Sequence, residues 1–381
     1  MRVAVLGGKL QGVEACYLAR KAGWSPVLAD RLEARPAQKL SDEFHCLDFL
    51  DAASLENLLK TVDMVIPALE DQEALDQIGR SARKLKVPIL YDAEAYRLSS
   101  SKLRSDAFFL DIGVPAPKPW PHCEFPLTVK PSEASGSAGV RRVENEQALQ
   151  ALCGALGSLA GWVIQEYLEG PSYSLEVVAF QGRCRTFQVT ELEMDAVYDC
   201  KRVLAPARLS AELEEEFHQL AQTLAQELKL EGIMDVEVIL HQGQLKVLEI
   251  DARLPSQTLT AVYHSTGVNA LETAWKALAG ESWPSESAAA ARGVIYEHIQ
   301  VTPGCLEVCG EHIMAAAGPL TLQDDFFGVD EALTNYQPGA ACWEATLITT
   351  GTNREEAWEK RCAAIAAIQE SQGLLYKEEN S

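Results

Sequence analysis

Two short stretches past the middle of the chain set carboxylates among apolar neighbours: Asp235-Val236-Glu237 and Glu249-Ile250-Asp251-Ala252-Arg253. Side chains two residues apart on a strand share a face, so Asp235 goes with Glu237 and Glu249 with Asp251. A turn around Gly243 makes the two stretches a hairpin, and a loop of Gln242-Gly243-Gln244 sets Glu237 directly opposite Glu249. Facing like charges cost roughly 0.2–1 kcal/mol, and more when partly buried. A hard cation bridging them removes that cost, and Mg2+ takes oxygens from one or two carboxylates together with substrate phosphates. Arg253, two residues past Asp251, points at the same anionic centre. The alternative is a pair of solvated strand faces, which insertion among Val, Ile and Leu disfavours.

Three further motifs have chemistry within reach. Lys130 ends the apolar run Leu127-Thr128-Val129-Lys130, ahead of the small-residue stretch Ser132–Gly139. The amides and hydroxyls of such a loop can fold over a polyphosphate while the ammonium contacts it. No GKS or GKT follows, so this is not a Walker A loop, and taken alone it reads rather as a solvated hairpin loop. Gly7-Gly8-Lys9-Leu10-Gln11-Gly12 joins a strand to a helix, and Asp30 ends the next strand. A helix N-terminus favours an anion, and an acid at that distance can bind a ribose hydroxyl. The spacing is GGxxxG rather than GxGxxG, and a tight strand-to-helix turn explains it equally well. Gln165-Glu166-Tyr167-Leu168-Glu169-Gly170, after Trp162-Val163-Ile164, suits an adenine edge but is a common pattern.

The elements that must position these residues fall into three regions. Up to residue 93, strand patterns (Val3–Leu6, Ser25–Asp30, Phe44–Leu47, Met64–Pro67, Ile89-Leu90) alternate with helical ones (Val13–Ala22, Ala53–Leu59, Glu73–Leu85). That alternation predicts a doubly wound parallel α/β domain over 1–93. Residues 94–165 read as helix Lys102–Asp111, strands Leu127–Lys130 and Val140–Val143, helix Glu146–Leu156 and strand Trp162–Ile164. Residues 166–381 hold strands Tyr173–Phe180 and Arg185–Thr190, the helix Ala211–Leu228 and the hairpin Met234–Leu240/Gln244–Ile250. The last hundred residues carry the least recognisable chemistry, and Ala363–Ile368 reads as a packing helix.

Composition narrows the partners. The 381 residues are 47% hydrophobic and 23% charged, an ordinary folded composition long enough for two or three cores. The formal charge of −22 repels phosphate backbones and anionic membranes, which argues against nucleic acid or lipid surfaces. An anionic ligand must therefore be held by a few local cations. Met1–Gly8 lacks a signal-peptide core, and the uncharged stretch Ala151–Gln165 is Gly-interrupted and short of the ~20 residues that span a bilayer. Ten scattered cysteines form neither CxxC pairs nor zinc-spaced Cys/His clusters, so reduced thiols and a cytoplasmic location are expected.

In this order the motifs resemble the ATP-grasp superfamily of carboxylate–amine ligases. The pattern is a lysine opening the middle region, a second before a small-residue flap, a Q/E-E-Y-L-E-G hinge and an acid-bearing hairpin ending E-I-D-x-R. Gly7–Gly12, Tyr198–Cys200, Gly232–Glu237 and Glu249–Arg253, the last with Pro255–Thr258 and Thr260–Tyr263, carry a closer similarity over roughly residues 1–300. It is to the branch that joins 3-methyl-D-ornithine, or D-ornithine, to the side-chain amine of L-lysine in pyrrolysine biosynthesis. The resemblance implies an ATP-grasp fold: the doubly wound N-terminal domain plus two α+β domains enclosing ATP. It assigns Leu10, Lys102, Lys130, Ser135, Gly136, Ser137, Gln165, Glu166 and Leu168 to ATP. It assigns Mg2+, with Mn2+ as a substitute, to Glu237, Glu249 and Asp251, and the acyl phosphate to Arg253. Gln11, Gly12, Asp30, Asp48, Phe49 and Glu70 fall at the N-terminal end of the site. Ser174, Glu176, Asp199, Asp235, Ser256, Gln257 and Thr258 shape the amino-acid pockets, with Glu176 and Glu70 as candidate partners for cationic amines and Glu176 as a catalytic candidate. The implied reaction is attack of a carboxylate on the γ-phosphate of ATP, then displacement of phosphate by an amine. Two features depart from the family: a flap rich in glycine rather than serine, and Asp251 where many members carry Asn. The rival readings are another amino-acid ligase of the superfamily, an NAD(P)-dependent dehydrogenase built on the glycine turn and Asp30, and a non-catalytic nucleotide binder.

Overall fold

The computed structural model describes residues 1–134, 136–283 and 291–377. Strands β1 (Arg2–Leu6), β2 (Ser25–Asp30), β3 (Glu43–Cys46) and β4 (Met64–Pro67) alternate with helices α1 (Leu10–Lys21), α2 (Ala52–Leu59) and α3 (Gln72–Leu85). The four strands form one parallel sheet in the order β3-β2-β1-β4. Ile89-Leu90, expected as a fifth strand, makes only an isolated parallel bridge to Val65. Pro88 lacks an N–H for the ladder and Lys86 is left-handed (φ 57°), so the chain cannot run on beside β4.

Helices α4 (Ala93–Ser99) and α5 (Lys102–Ile112) follow. Then β5 (Leu127–Pro131), β6 (Arg141–Val143), helix α6 (Glu146–Leu156) and β7 (Trp162–Glu166) make a small antiparallel sheet, ordered β6-β5-β7. Beyond it come β8 (Ser172–Phe180), β9 (Arg183–Thr186), β10 (Thr190–Met194), β11 (Cys200–Ala205), helix α7 (Ala211–Glu227) and the hairpin β12 (Gly232–His241) and β13 (Gln244–Asp251). Helices α8 (Thr258–Thr266) and α9 (Ala270–Leu278) lead to β14 (Gly293–Thr302), β15 (Cys305–Val308) and the short α10 (His312–Ala316). The described chain finishes with β16 (Thr321–Asp324), β17 (Glu331–Thr334), β18 (Trp343–Gly351), α11 (Arg354–Gln372) and β19 (Leu375–Lys377). The strands from β8 onward join one large sheet whose main path is β13-β12-β8-β10-β11-β14-β18-β17-β16.

Arg185–Thr190 is not one strand. β9 and β10 pair along the same edge of β8, but Val177 faces Thr186 while Ser174 faces Thr190. One extra residue between them is a bulge that splits the run. Ala363–Ile368 lies within α11, where Ala364, Ile365 and Ile368 are buried against β14 and β18.

The hairpin carries a second bulge that matters for the site. His241 pairs with Gln244, leaving a two-residue turn of Gln242 (φ 52°) and Gly243 (φ 81°) rather than a three-residue loop. Two consecutive positive φ values mark the turn type whose twist suits a hairpin. Continued unbroken, that register would set Glu237 against Leu248. The ladder shifts instead between Glu237 and Val238, so Leu248 is the extra residue and Glu237 meets Glu249.

Two cores hold the regions together. Ala95 and Phe109 of α4 and α5 are buried in the same cluster as Leu175, Met234 and Ile250 of the large sheet. Val13, Tyr17 and Leu18 of α1 share a cluster with Leu259 and Val262 of α8. Buried polar bonds fix the second contact. Glu14 accepts the Thr260 N–H at 2.6 Å and its hydroxyl at 2.8 Å, and Asn269 Nδ2 donates to the Leu18 carbonyl at 2.8 Å.

Candidate active site

Three adjoining cavities meet at the β12–β13 hairpin. One of about 150 Å³ lies between the small and large sheets and is lined by Lys102, Lys130, Gly136, Ser137, Glu166, Leu168, Glu237 and Glu249. A second of about 140 Å³ is lined by Asp235, Glu237, Glu249, Asp251, Arg253, Ser256, Gln257, Thr258, Asp199 and Glu311. The third, about 510 Å³, opens toward the C-terminal ends of the parallel strands. Leu10, Gln11, Asp30, Asp48, Phe49 and Glu70 line it, and Asp199, Arg253, Ser256, Glu311 and His312 border it from the far side.

Most of the candidates named from the sequence are thus brought together, and a few are not. Leu10 borders the large cavity, not the one holding the two lysines. Gly12 is buried in α1, where a Cβ would stand 2.2 Å from the Gly7 carbonyl oxygen; it packs helix on turn and does not reach a cavity. Gln165 is buried with both ends of its amide unpartnered and borders none of the three cavities. Ser174 and Glu176 lie on β8 beside β12, opposite Glu237 and Asp235 and bordering none of the three cavities, with the Ser174 hydroxyl donating to Glu176 Oε1 at 3.0 Å. Burial pushes the Glu176 carboxyl up. Ser135 lies outside the described residues. Asp30 is already engaged, accepting from the Gly8 N–H at 2.9 Å and Arg35 Nε at 3.0 Å.

The hairpin acids are crowded as the facing register demands. Asp235 pairs with Asp251 and Glu237 with Glu249. Burial first, then the neighbouring Glu249, pushes Glu237 up to about 7, and burial lifts Asp251 to about 6. Burial together with Asp251 holds Asp235 well above the usual carboxylate range. Asp235 Oδ1 and Asp251 Oδ1 are buried with no hydrogen-bond partner among the described residues. Oxygen-rich, negatively charged and under-partnered, this group fits a hard divalent cation.

Cations stand on both sides of it. Lys102 Nζ reaches Glu249 Oε1 at 2.7 Å and the flap carbonyl of Ala134 at 2.8 Å. Lys130 is buried at the end of β5, and burial lowers its ammonium below the usual lysine range. Arg253 spans Asp251 (2.8 Å) and Glu70 (2.9 Å), and Gln11 Nε2 donates to Glu70 at 3.1 Å. That bridge ties the hairpin to the parallel domain across the large cavity. The Glu166 carboxylate is held by Lys246 at 2.6 Å.

Two site residues escaped the sequence reading, both from the last hundred residues. Glu311 accepts from Ser256 Oγ at 2.9 Å and from Gln257 Nε2, and burial raises its carboxyl. His312 borders the large cavity and bonds Asp199. No spacing rule links either to the hairpin; only folding brings them there. Gly310 shows how closely their segment packs there, because a Cβ at that position would meet Asp199 Oδ2 at 2.1 Å. All ten cysteines are free thiols.

A family model described as an ATP-grasp domain matches residues 99–257. The chain is 34% identical to a 3-methyl-D-ornithine–L-lysine ligase of Methanosarcina barkeri, covering 98% of this chain and 99% of that one. The Methanosarcina acetivorans ligase of the same name is also 34% identical, over 97% and 98%. Among solved structures, an ADP complex of N5-carboxyaminoimidazole ribonucleotide synthetase superposes with a TM-score of 0.72 at 16% identity, covering 98% of this chain and 97% of the other. The biotin carboxylase domain of a Hydrogenobacter thermophilus carboxylase, solved with MgADP, gives 0.73 at 16% identity, over 96% and 89%.

Proposed function

The chain belongs to the ATP-grasp carboxylate–amine ligases, in the family of its 3-methyl-D-ornithine–L-lysine ligase relatives, and from that premise we propose its reaction. It activates the carboxylate of (3R)-3-methyl-D-ornithine, or of D-ornithine, with ATP. It then joins that carbonyl to the side-chain amine of L-lysine, giving N6-(3-methyl-D-ornithyl)-L-lysine, ADP and phosphate in pyrrolysine biosynthesis. The pathway reading carries a cytoplasmic location with it. On this reading the three sheets belong to domains spanning 1–93, 94–165 and 166–381.

One observation carries the proposal. The acid-paired hairpin and Arg253 stand at the junction of a lysine-lined cavity and a large one lined by acids. Lys102, Lys130, Gly136 and Ser137 would hold the polyphosphate, with Glu166 and Leu168 beside the base. Glu237, Glu249 and Asp251 would hold Mg2+, which neutralises phosphate charge during transfer. Arg253 faces the acyl phosphate as it forms, a stabilisation by a preplaced charge that needs no covalent nucleophile on the protein. Asp30, Asp48, Glu70, Asp71, Asp199 and Glu311 outnumber Lys9, Arg31, Arg35 and Arg253 around the large cavity, an excess of acids that suits a diamino acid's ammonium groups.

The test separates activation from coupling. ATP with the ornithine-type acid should yield a hydroxamate when hydroxylamine replaces lysine, and L-lysine alone should yield none. One ¹⁸O from the ornithine-type carboxylate should appear in phosphate. Label leaving from lysine's carboxylate instead would reverse donor and acceptor.

A further inference from the structure

We infer that His312, oriented by Asp199, is the proton acceptor for the attacking amine; the inference rests on the ligase reading above. Amide formation from an ammonium releases two protons. The first must leave before the nitrogen has a lone pair with which to attack. As the C–N bond forms, the C–O bond to phosphate breaks, its electron pair goes to phosphate, and phosphate takes the second proton. A positioned base for the first proton speeds such a step.

The hairpin acids are the ones assigned to the metal, and Arg253 pairs with Asp251 and Glu70, so the base is sought among the other groups at the border of the large cavity. His312 Nδ1 lies 2.5 Å from Asp199 Oδ2, and the His312 backbone N–H donates to the same oxygen at 3.0 Å. With the ring proton on Nδ1, that nitrogen donates to the carboxylate. That tautomer leaves Nε2 as an acceptor. Asp199 is buried, its side chain 7% exposed, whereas the His312 side chain is 63% exposed at the border of the large cavity shared with Arg253 and Glu70. An orienting group held in the protein and an imidazole open to the cavity are the arrangement a base requires.

The surroundings fix the pair. Asp195 Oδ1 accepts from the Val197 and Asp199 N–H groups, both at 2.9 Å, closing a tight loop. Tyr198 in that loop is left-handed (φ 66°), and its carbonyl accepts from Ser137 Oγ of the flap at 2.6 Å. The flap over the lysine-lined cavity is thus linked through one residue to the dyad. Asp195 and Asp199 flank the imidazole from the loop, His298 of β14 lies within its electrostatic reach, and Arg253, Glu70 and Glu311 border the same cavity.

Hydroxylamine is already neutral at pH 7 and needs no such base, so it splits the two roles. In His312→Gln the ratio of lysine-coupled product to hydroxamate should fall roughly 100-fold, within the range positioned bases contribute. The acid limb of kcat/KM for lysine should vanish with it, and His312→Gly should regain coupling with added imidazole. An unchanged ratio and pH profile, or an equal loss of both products without imidazole rescue, would overturn the assignment. If the wild-type protein makes neither hydroxamate nor coupled product, the ligase reading itself fails and this inference with it.

Discussion

At the scale of single residues, the site is built from charges that each need another. Glu237 and Glu249 face one another, and the Lys102 ammonium stands against Glu249 at 2.7 Å. Removing one acid therefore relieves repulsion across the hairpin and loses a partly buried ion pair, two opposing effects of about 1 kcal/mol or less each. Glu249→Ala should accordingly unfold within a few degrees of the parent while losing at least 100-fold in ADP release. Raising Mg2+ should restore little of it, because a ligand is gone rather than merely weakened. Full turnover at ordinary Mg2+ would remove Glu249 from the metal site, and a collapse in thermal midpoint would make its role structural. The acid pairs were readable because strand alternation is local: Asp235 with Glu237 and Glu249 with Asp251 follow from period two alone. Glu311 and His312 were not, because nothing in the sequence around them sets their distance from residues 199 and 256.

At the scale of elements, the hairpin shows how a correct pairing can follow from an incorrect turn. A three-residue loop predicts Glu237 opposite Glu249; the chain reaches the same pairing with a two-residue turn and a bulge at Leu248. Bulges answer to side-chain packing and strand twist rather than to composition, so this one left no trace in the alternation. The same limit split Arg185–Thr190, and a proline took Ile89-Leu90 out of the parallel sheet. The strands and helices of the first ninety residues were otherwise legible, since buried parallel strands are short apolar runs between amphipathic helices. The turn gives a test of its own. Gly243 sits at φ 81° with nothing within 4 Å of a Cβ, so Ala there meets backbone strain and no clash. Gly243→Ala should cost about 1–2 kcal/mol in stability, as left-handed backbone does for a residue with a Cβ. Its activity at a permissive temperature should match the parent, because Gln242 and Gly243 border neither lysine-lined nor acid-lined cavity. A loss of activity without a loss of stability would show that the turn transmits more than register.

At the scale of the whole molecule, the net charge of −22 is not confined to the surface. Glu14, at the seam between the parallel domain and the large sheet, is pushed up to about 7 by burial, and Glu237 reaches about 7 in the cavity. Both values are raised above the ordinary 4.5, so the folded chain keeps protons that the unfolded chain releases. Their contribution is full below about pH 4.5 and is lost as pH rises through about 7. Two buried histidines act in the opposite sense: burial lowers His264 to about 4 and His298 to about 3. Their contribution is full above the unfolded histidine value of about 6.5 and is lost as pH falls toward those lowered values. Between about pH 4.5 and 6.5 the two groups oppose each other, and above 6.5 only the acids act. The ligand-free protein should therefore lose stability from pH 6.5 to 8, by an amount on the order of 1–3 kcal/mol, given 1.36 kcal/mol per pKa unit. Glu237→Gln should flatten that fall by removing one of the protons involved, and so should saturating Mg-ATP, because a bound cation favours the ionised carboxylates. Glu14→Gln should flatten it as well, but with no dependence on Mg-ATP, since the seam lies outside the cavities. Thermal midpoints measured at both pH values, with and without Mg-ATP, distinguish the two acids. A fall left intact in Glu237→Gln but abolished in Glu14→Gln would place the whole pH response at the domain seam and none of it in the site.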